Sequence, residues 1–294
     1  MIAAAASASP ASSAPPVHIV PAAALVPADP DEPSAQAVIA WYDAHARDLP
    51  WRRPGTTPWE VLVSEVMSQQ TPVARVIPAW QEWMRRWPGP VELAQAPTAE
   101  VLRVWGRLGY PRRALRLIEC ARSIVERHGS VMPDDPDALL ALPAPGLNRA
   151  ERERALHLLP DDDATAAHWS VAVMELGALV CTARDPDCDA CPWRNSCAWL
   201  AAGCPADVHA GRRRTQAWHG TDRQARGLVM ARLREATDGR AVETDELMAC
   251  AARAGSRTAN GLVSDPDQPA RALASLLADG LIATDDDGAT YRLP

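Results

Sequence analysis

Four of the chain's seven cysteines fall in one short stretch, "CTARDPDCDACPWRNSC", at Cys181, Cys188, Cys191 and Cys197. The spacing, Cys-x6-Cys-x2-Cys-x5-Cys, forces the backbone between them into tight loops if the sulfurs converge. The first thirty-five residues are rich in Ala, Pro and Ser, lack the basic start of a signal peptide, and have their apolar stretches broken by proline. A disordered leader over 1–35 and a reducing cytoplasm are therefore expected, where clustered thiols bind metal more often than they pair as disulfides. Four thiolates can complete one cubane [4Fe-4S] cluster, one per iron. Zinc is the alternative, but structural zinc sites usually join two short Cys-x2–4-Cys hooks and this segment has one. Cys120, Cys204 and Cys250 read as ordinary thiols.

Upstream of the cysteines the pattern is helical. From Gln36 to Trp199 apolar residues recur at three- and four-residue steps, with proline or glycine as punctuation. The clearest start is "TPWE": Thr57 can cap, Pro58 suits the first turn and Glu60 closes a capping box, so a helix is expected over about 58–70. Further helices are expected at 72–86, 98–105, 111–128, 135–142, 150–159 and 164–180. No period-two strand is evident among them. After Cys204 comes a polar linker (205–217), then a small domain (218–294) ending in a helix, a strand at 281–284, a "DDDG" turn and a strand at 290–293. That ending is winged-helix-like. The fold class is thus mainly α, in 294 residues that suffice for two modest cores.

The net charge of −7 argues mildly against a nucleic-acid partner, but phosphate binding depends on where charge sits. Between Arg103 and Arg127 there are seven arginines against two glutamates, and "RRR" recurs at 212–214. A solvated helix face is the plain alternative for such a run. No lysine occurs anywhere. No apolar run approaches a membrane span.

The cysteine pattern, following a helix that ends "MELGALVC", resembles the endonuclease III and MutY superfamily of helix-hairpin-helix DNA glycosylases. Three further stretches resemble the MutY branch, the adenine DNA glycosylases: "RDLPWR" at 47–52, "SEVMSQQT" at 64–71 and "LGY" at 108–110. The resemblance implies a helical glycosylase domain over 36–180, a cluster loop over 181–204 and a cytoplasmic, nucleoid-associated monomer in base excision repair. Its substrate would be double-stranded DNA carrying adenine opposite 8-oxoguanine or guanine. The cluster would be structural, pressing the loop that carries Arg184 onto the DNA backbone.

Releasing adenine requires a proton donor to the leaving base, so the acid must hold its proton near neutral pH. Glu65 matches the family's acid, and its helix neighbours Val61, Leu62 and Val66 give an apolar setting that disfavours the ionised form. Gln70 and Thr71 match residues that wedge into the duplex opposite the target, and Tyr110 an intercalating tyrosine; such wedges offset the unstacking of a flipped nucleotide. Arg47, Leu49, Trp51, Arg52 and Val73 match the lining of the adenine pocket, though Leu49, Trp51 and Val73 also suit a plain core. Strand cleavage commonly proceeds through a lysine Schiff base, and without lysine any activity is expected to be monofunctional.

Two departures qualify the resemblance. The hairpin, Leu-Pro-Gly-x-Gly in the family, reads "LPAPG" at 142–146, where Ala144 restricts the turn and Pro145 lacks an amide donor. Only "LNRAERERALHLLPDDDATAAHW" then precedes Ser170, too few residues for the helix that carries the family's catalytic aspartate. An internal deletion after residue 146 is expected, with activity impaired and apolar helix faces exposed. Asp161, Asp162 and Asp163 fit a helix start better than a replacement carboxylate. The alternative function is a non-catalytic iron–sulfur protein that recognises damaged or mismatched duplex.

Overall fold

The computed structural model describes residues 35–143, 149–206, 218–236, 239–254, 256–258, 261–263 and 265–294. The expectations for the leader, for the end of the "LPAPG" hairpin and for the "RRR" run fall wholly or largely outside these residues. The described elements are mainly helical, and they divide between two compact units. Among the described residues no helix is long and apolar enough to cross a membrane.

One unit takes in 57–133 and the chain after 215. Its first part is helical: after α1 (Ala35–His45), which belongs to the other unit, come α2 (Pro58–Ser68), α3 (Val73–Arg86), α4 (Pro90–Gln95), α5 (Thr98–Trp105) and α6 (Arg112–His128). The capping box that opens α2 forms as expected, with the Glu60 amide donating to the Thr57 hydroxyl at 3.3 Å and the Thr57 amide donating to the Glu60 carboxylate at 2.6 Å. The chain contains no phenylalanine, and tryptophan takes its place in the core. Trp83 and Trp105 are essentially fully buried, and Trp83 meets Trp87 and Trp105 edge-to-face at 4.8 and 5.5 Å between ring centres. Leu93 on α4, a short helix not anticipated from the pattern, is fully buried.

The end of the same unit holds α11 (Asp222–Glu235), β1 (Val242–Glu243), α12 (Thr244–Ala252), α13 (Gln268–Ala278) and β4 (Thr290–Tyr291), with a hairpin of β2 (Ser256–Thr258) and β3 (Gly261–Val263). β4 pairs antiparallel with β1. The strand expected at 281–284 is reduced to a single bridge, Ala283 to Arg292, because Leu281 and Ile282 are drawn into the helical core instead. The "DDDG" turn forms where Asp287 and Gly288 take positive φ. This region is fastened to α5 and α6. Arg103 donates to the Ala236 carbonyl at 3.1 Å, Arg234 to the Leu102 carbonyl at 3.1 Å, and Arg112 pairs with Asp279 at 3.3 Å.

The other unit takes in residues up to 56 with 134–140 and 145–214. α1 (Ala35–His45) packs on α9 (Asp163–Leu179) through Val38, Ala172, Leu176 and Val180. Asp162 caps α9, accepting the Thr165 amide at 2.9 Å, so the "DDD" run begins a helix as its charge pattern implies. α8 (Arg149–His157) buries no residue, and α9 buries only three over its five turns. Leu156, Leu158, Met174 and Leu179 are all exposed.

Candidate active site

In the first unit the expected site residues lie on α2 and on two turns beside it. Glu65 is half-buried on α2, flanked by the buried Leu62 and Val66. The helix stops at Ser68, and Gln70 takes a left-handed φ of 50° before Pro72. Thr71 is buried, its hydroxyl shared between the carbonyls of Gln69 (3.2 Å) and Leu108 (3.4 Å). Val73 opens α3, half-buried. Tyr110 also takes a left-handed φ, 47°, and is 40% exposed. A non-glycine residue in this region is strained by about 1–2 kcal/mol, so two such positions in adjoining turns need a cause.

Against both turns lies Arg113, which the sequence presents as one more member of a basic run. It is buried on α6, and its guanidinium fills the space between the two turns. Nη1 donates to the carbonyls of Val66 (2.9 Å), Met67 (3.0 Å) and Gln69; Nη2 donates to the Thr71 hydroxyl (2.9 Å) and the carbonyls of Leu108 (3.4 Å) and Gly109 (3.2 Å). Val66 and Met67 carry helix-end carbonyls that α2 itself leaves unpaired, and a cation there also suits the helix dipole. Burial brings the Arg113 pKa down to about 10, still charged at neutral pH. Two guanidinium groups approach the Tyr110 ring, Arg113 at 5.5 Å and Arg223 of α11 at 4.7 Å, and Arg223 also faces the exposed Trp218 at 5.5 Å.

In the second unit Arg47 and Arg52 converge on Glu175 of α9, whose side chain is 1% exposed. The carboxylate accepts the Arg47 amide (3.0 Å), Arg47 Nε (2.7 Å), Arg47 Nη2 (2.6 Å) and Arg52 Nη2 (3.0 Å). Burial pushes the Glu175 carboxyl up, but the hydrogen bonds from Arg47 and Arg52 outweigh it and bring the pKa down to about 2. Leu49 and Trp51 are buried. Neither Glu175 nor Arg113 is signalled by its own residue pattern. The only hint for Glu175 is its place, two turns before Cys181.

The cysteine segment folds into successive turns. The Cys181 amide caps α9 on the Leu176 carbonyl (2.8 Å), and the Asp187 amide returns to the Val180 carbonyl (2.9 Å), closing the loop that carries the exposed Arg184. The Thr182 hydroxyl tightens that loop by donating to the Asp185 carbonyl at 2.6 Å. Cys191 and Trp193 pack on the α1–α9 core. The Cys181 thiol pKa is raised by burial and then by Cys191, Cys197 and Cys188. Among the described residues no three Cys, His, Asp or Glu side chains close in as they would around a single ion. A cubane binds each sulfur to a different iron and needs no such closure. Cys120, deeply buried, has its pKa raised to about 12 by burial alone, as an ordinary core thiol would.

These features describe a helical scaffold, and comparison with known proteins supplies its class. Residues 63–238 match the HhH-GPD superfamily base excision DNA repair protein family. The chain is 43% identical to the adenine DNA glycosylase of Mycolicibacterium smegmatis over 290 positions, covering 85% of this chain and 93% of that protein. It is likewise 43% identical to the adenine DNA glycosylase of Mycobacterium tuberculosis H37Rv, covering 87% and 92%. A thermostable thymine-DNA glycosylase shares the fold with a TM-score of 0.50 at 20% identity, covering 57% of this chain and 95% of that one. The chain belongs to the HhH-GPD superfamily and, within it, to the adenine DNA glycosylases. In the M. smegmatis alignment 85% of 294 residues, about 250, fill 290 positions, so the relative has about 40 residues with no counterpart here.

Proposed function

We propose that this adenine DNA glycosylase acts on duplexes with adenine opposite 8-oxoguanine or guanine, that Glu65 is its general acid, and that its activity is impaired. Glu65 would protonate the leaving adenine from its half-buried place on α2, beside the buried Leu62 and Val66. Gln70 and Tyr110 would enter the duplex from their two turns, and Thr71, whose side chain is buried, would take part through the backbone of the first turn. Arg47, Leu49, Trp51 and Arg52 on one unit, the two arginines set by Glu175, and Val73 on the other are each proposed as adenine-contacting residues. Water is the nucleophile, since the chain holds no lysine for a Schiff base.

Impairment is inferred from the shortfall of about 40 positions against the relatives. We place it after residue 146, where the catalytic aspartate's helix is expected. The unburied α8 and the exposed Leu156, Leu158, Met174 and Leu179 are what a missing packing partner leaves behind. Loss of a carboxylate that stabilises the sugar cation is worth about 10²–10³ in rate by analogy with a removed oxyanion-hole donor.

The donor set of Cys181, Cys188, Cys191 and Cys197 suits a [4Fe-4S] cluster. When bound, it supplies a rigid anchor for the loop bearing Arg184 and no bond-breaking chemistry. We further propose 218–294 as a winged-helix-like domain.

The observation that carries the reading is the 43% identity with adenine DNA glycosylases over most of both chains. A single-turnover assay on duplex containing adenine opposite 8-oxoguanine tests it. Slow base release that disappears in Glu65→Gln is expected. Mispair-selective binding with no release at all would favour the non-catalytic alternative, and equal handling of matched and mispaired duplex would defeat both.

A further inference from the structure

We propose that Arg113 is the positioning residue of the DNA wedge, a single buried guanidinium that holds the Gln70–Thr71 and Tyr110 turns in the geometry in which they enter the duplex. The inference rests on the wedge reading of those residues. Its physical content is independent of any recognised motif. Two turns 40 residues apart in sequence each hold a non-glycine residue at positive φ, at Gln70 and Tyr110. Neither turn is regular structure, so neither holds this conformation through a backbone ladder.

The guanidinium supplies the missing constraint. Four N–H groups on Nη1 and Nη2 are shared among six acceptors, three at the end of α2, one on Thr71 and two in the turn before Tyr110. The planar fork sets the angle between the turns as well as their separation, because its two nitrogens are fixed relative to one another. The Trp105 indole closes the same turn from below, donating to the Gly109 carbonyl at 2.9 Å. Strained conformations persist only where their surroundings over-determine them, and here the over-determination converges on one side chain. A lysine at this position would bring three donors on one atom and could not reach both turns.

Arg113 is buried and turned towards carbonyls, so it makes no phosphate contact. Its loss should therefore change discrimination and leave electrostatic binding alone. The test uses the full chain, purified anaerobically, as wild type, Arg113→Lys, Tyr110→Ala and the double variant. Affinity is measured for duplex with adenine opposite 8-oxoguanine and for matched duplex, over a range of salt, together with amide hydrogen exchange of the free proteins. In Arg113→Lys the mispair preference should fall at least about tenfold, with the salt slope on matched duplex unchanged. Tyr110→Ala should lose a similar factor, and the double variant should lose little more, as expected of two residues in one device. Exchange should rise at 69–71 and 108–110 together while the interiors of α2 and α6 stay protected.

A salt slope shallower by about one unit in Arg113→Lys would mark a phosphate contact and overturn the proposal. So would unchanged preference, or exchange rising throughout the unit, which would make Arg113 a general structural support. If wild type shows no mispair preference, the wedge reading itself fails. The exchange of the two turns still decides whether Arg113 clasps them.

Discussion

Replacing Glu175 by glutamine tests the electrostatics of the second unit. The carboxylate takes four hydrogen bonds, three from Arg47 and one from Arg52, in a site only 1% open to solvent. Glutamine keeps the shape and one acceptor oxygen but points an amide N–H₂ at donors that lie 2.6 and 3.0 Å from Oε2. The folded-state pKa is lowered from 4.5 to about 2, a differential of about 3 kcal/mol at 1.36 kcal/mol per pKa unit. Arg47 is 34% exposed and can recover hydration, so a loss of about 2–3 kcal/mol at pH 7 is expected. A depressed carboxylate stabilises the folded state above its unfolded pKa, and the contribution fades as pH falls through the folded value. The gap between wild type and Glu175→Gln should therefore be full above about pH 5 and fall by about 2 kcal/mol on going to pH 3. Urea denaturation of both proteins at pH 7, 5 and 3 measures it, and the difference cancels groups that titrate alike in both. A gap below about 0.5 kcal/mol at pH 7, or one that stays constant down to pH 3, would refute the reasoning.

Other perturbations follow from the same geometry. Cys191→Ser should lose bound iron and acid-labile sulfide from anaerobically purified protein, whereas Cys250→Ser should lose neither; inductively coupled plasma analysis with a sulfide assay reads both. Thr57→Ala removes one half of a formed capping box and should lower stability by about 1 kcal/mol in denaturant titration. Inserting the M. smegmatis segment that has no counterpart after residue 146 should raise single-turnover base release by at least about a hundredfold. An insertion that restores nothing would place the shortfall elsewhere.

Helices with complete local signals were legible in the sequence. Thr57, Pro58 and Glu60 mark the start of α2, and the helix expected at 98–105 forms over those residues. α4 was missed because six residues give too little periodicity, and its anchor is the single side chain of Leu93. The strand at the end of the chain is legible, yet β4 pairs with β1, some 48 residues earlier, and only one bridge joins Arg292 to Ala283 across the turn. A local pattern carries no record of such a partner. The same limit hid Glu175 and Arg113. Each is defined by what the fold brings to it, a pair of arginines 123 and 128 positions away for one, and for the other four oxygens from the end of α2 and the turn after it, 42 to 47 positions away, added to two from the turn just before it.

The fate of the arginines shows why counting them overstates the DNA-binding charge. Of the seven between 103 and 127, Arg113 serves carbonyls in the core, Arg103 reaches the Ala236 carbonyl, and Arg112 pairs with Asp279, which Arg226 also holds at 2.5 Å. Arg107 and Arg127 are exposed. With no lysine in the chain, every permanently charged side-chain base is an arginine, whose forked donors suit carbonyl and carboxylate clasps, so the fold itself competes with phosphate for them. Each true phosphate contact contributes about −0.9 to the slope of log K against log salt on duplex DNA. Arg107→Gln and Arg127→Gln should therefore each make the slope shallower by about that amount, while Arg103→Gln and Arg112→Gln should leave it within about 0.3. An Arg112→Gln effect as large as that of Arg107→Gln would mean that DNA draws Arg112 away from Asp279, and the count of arginines would be the better guide after all.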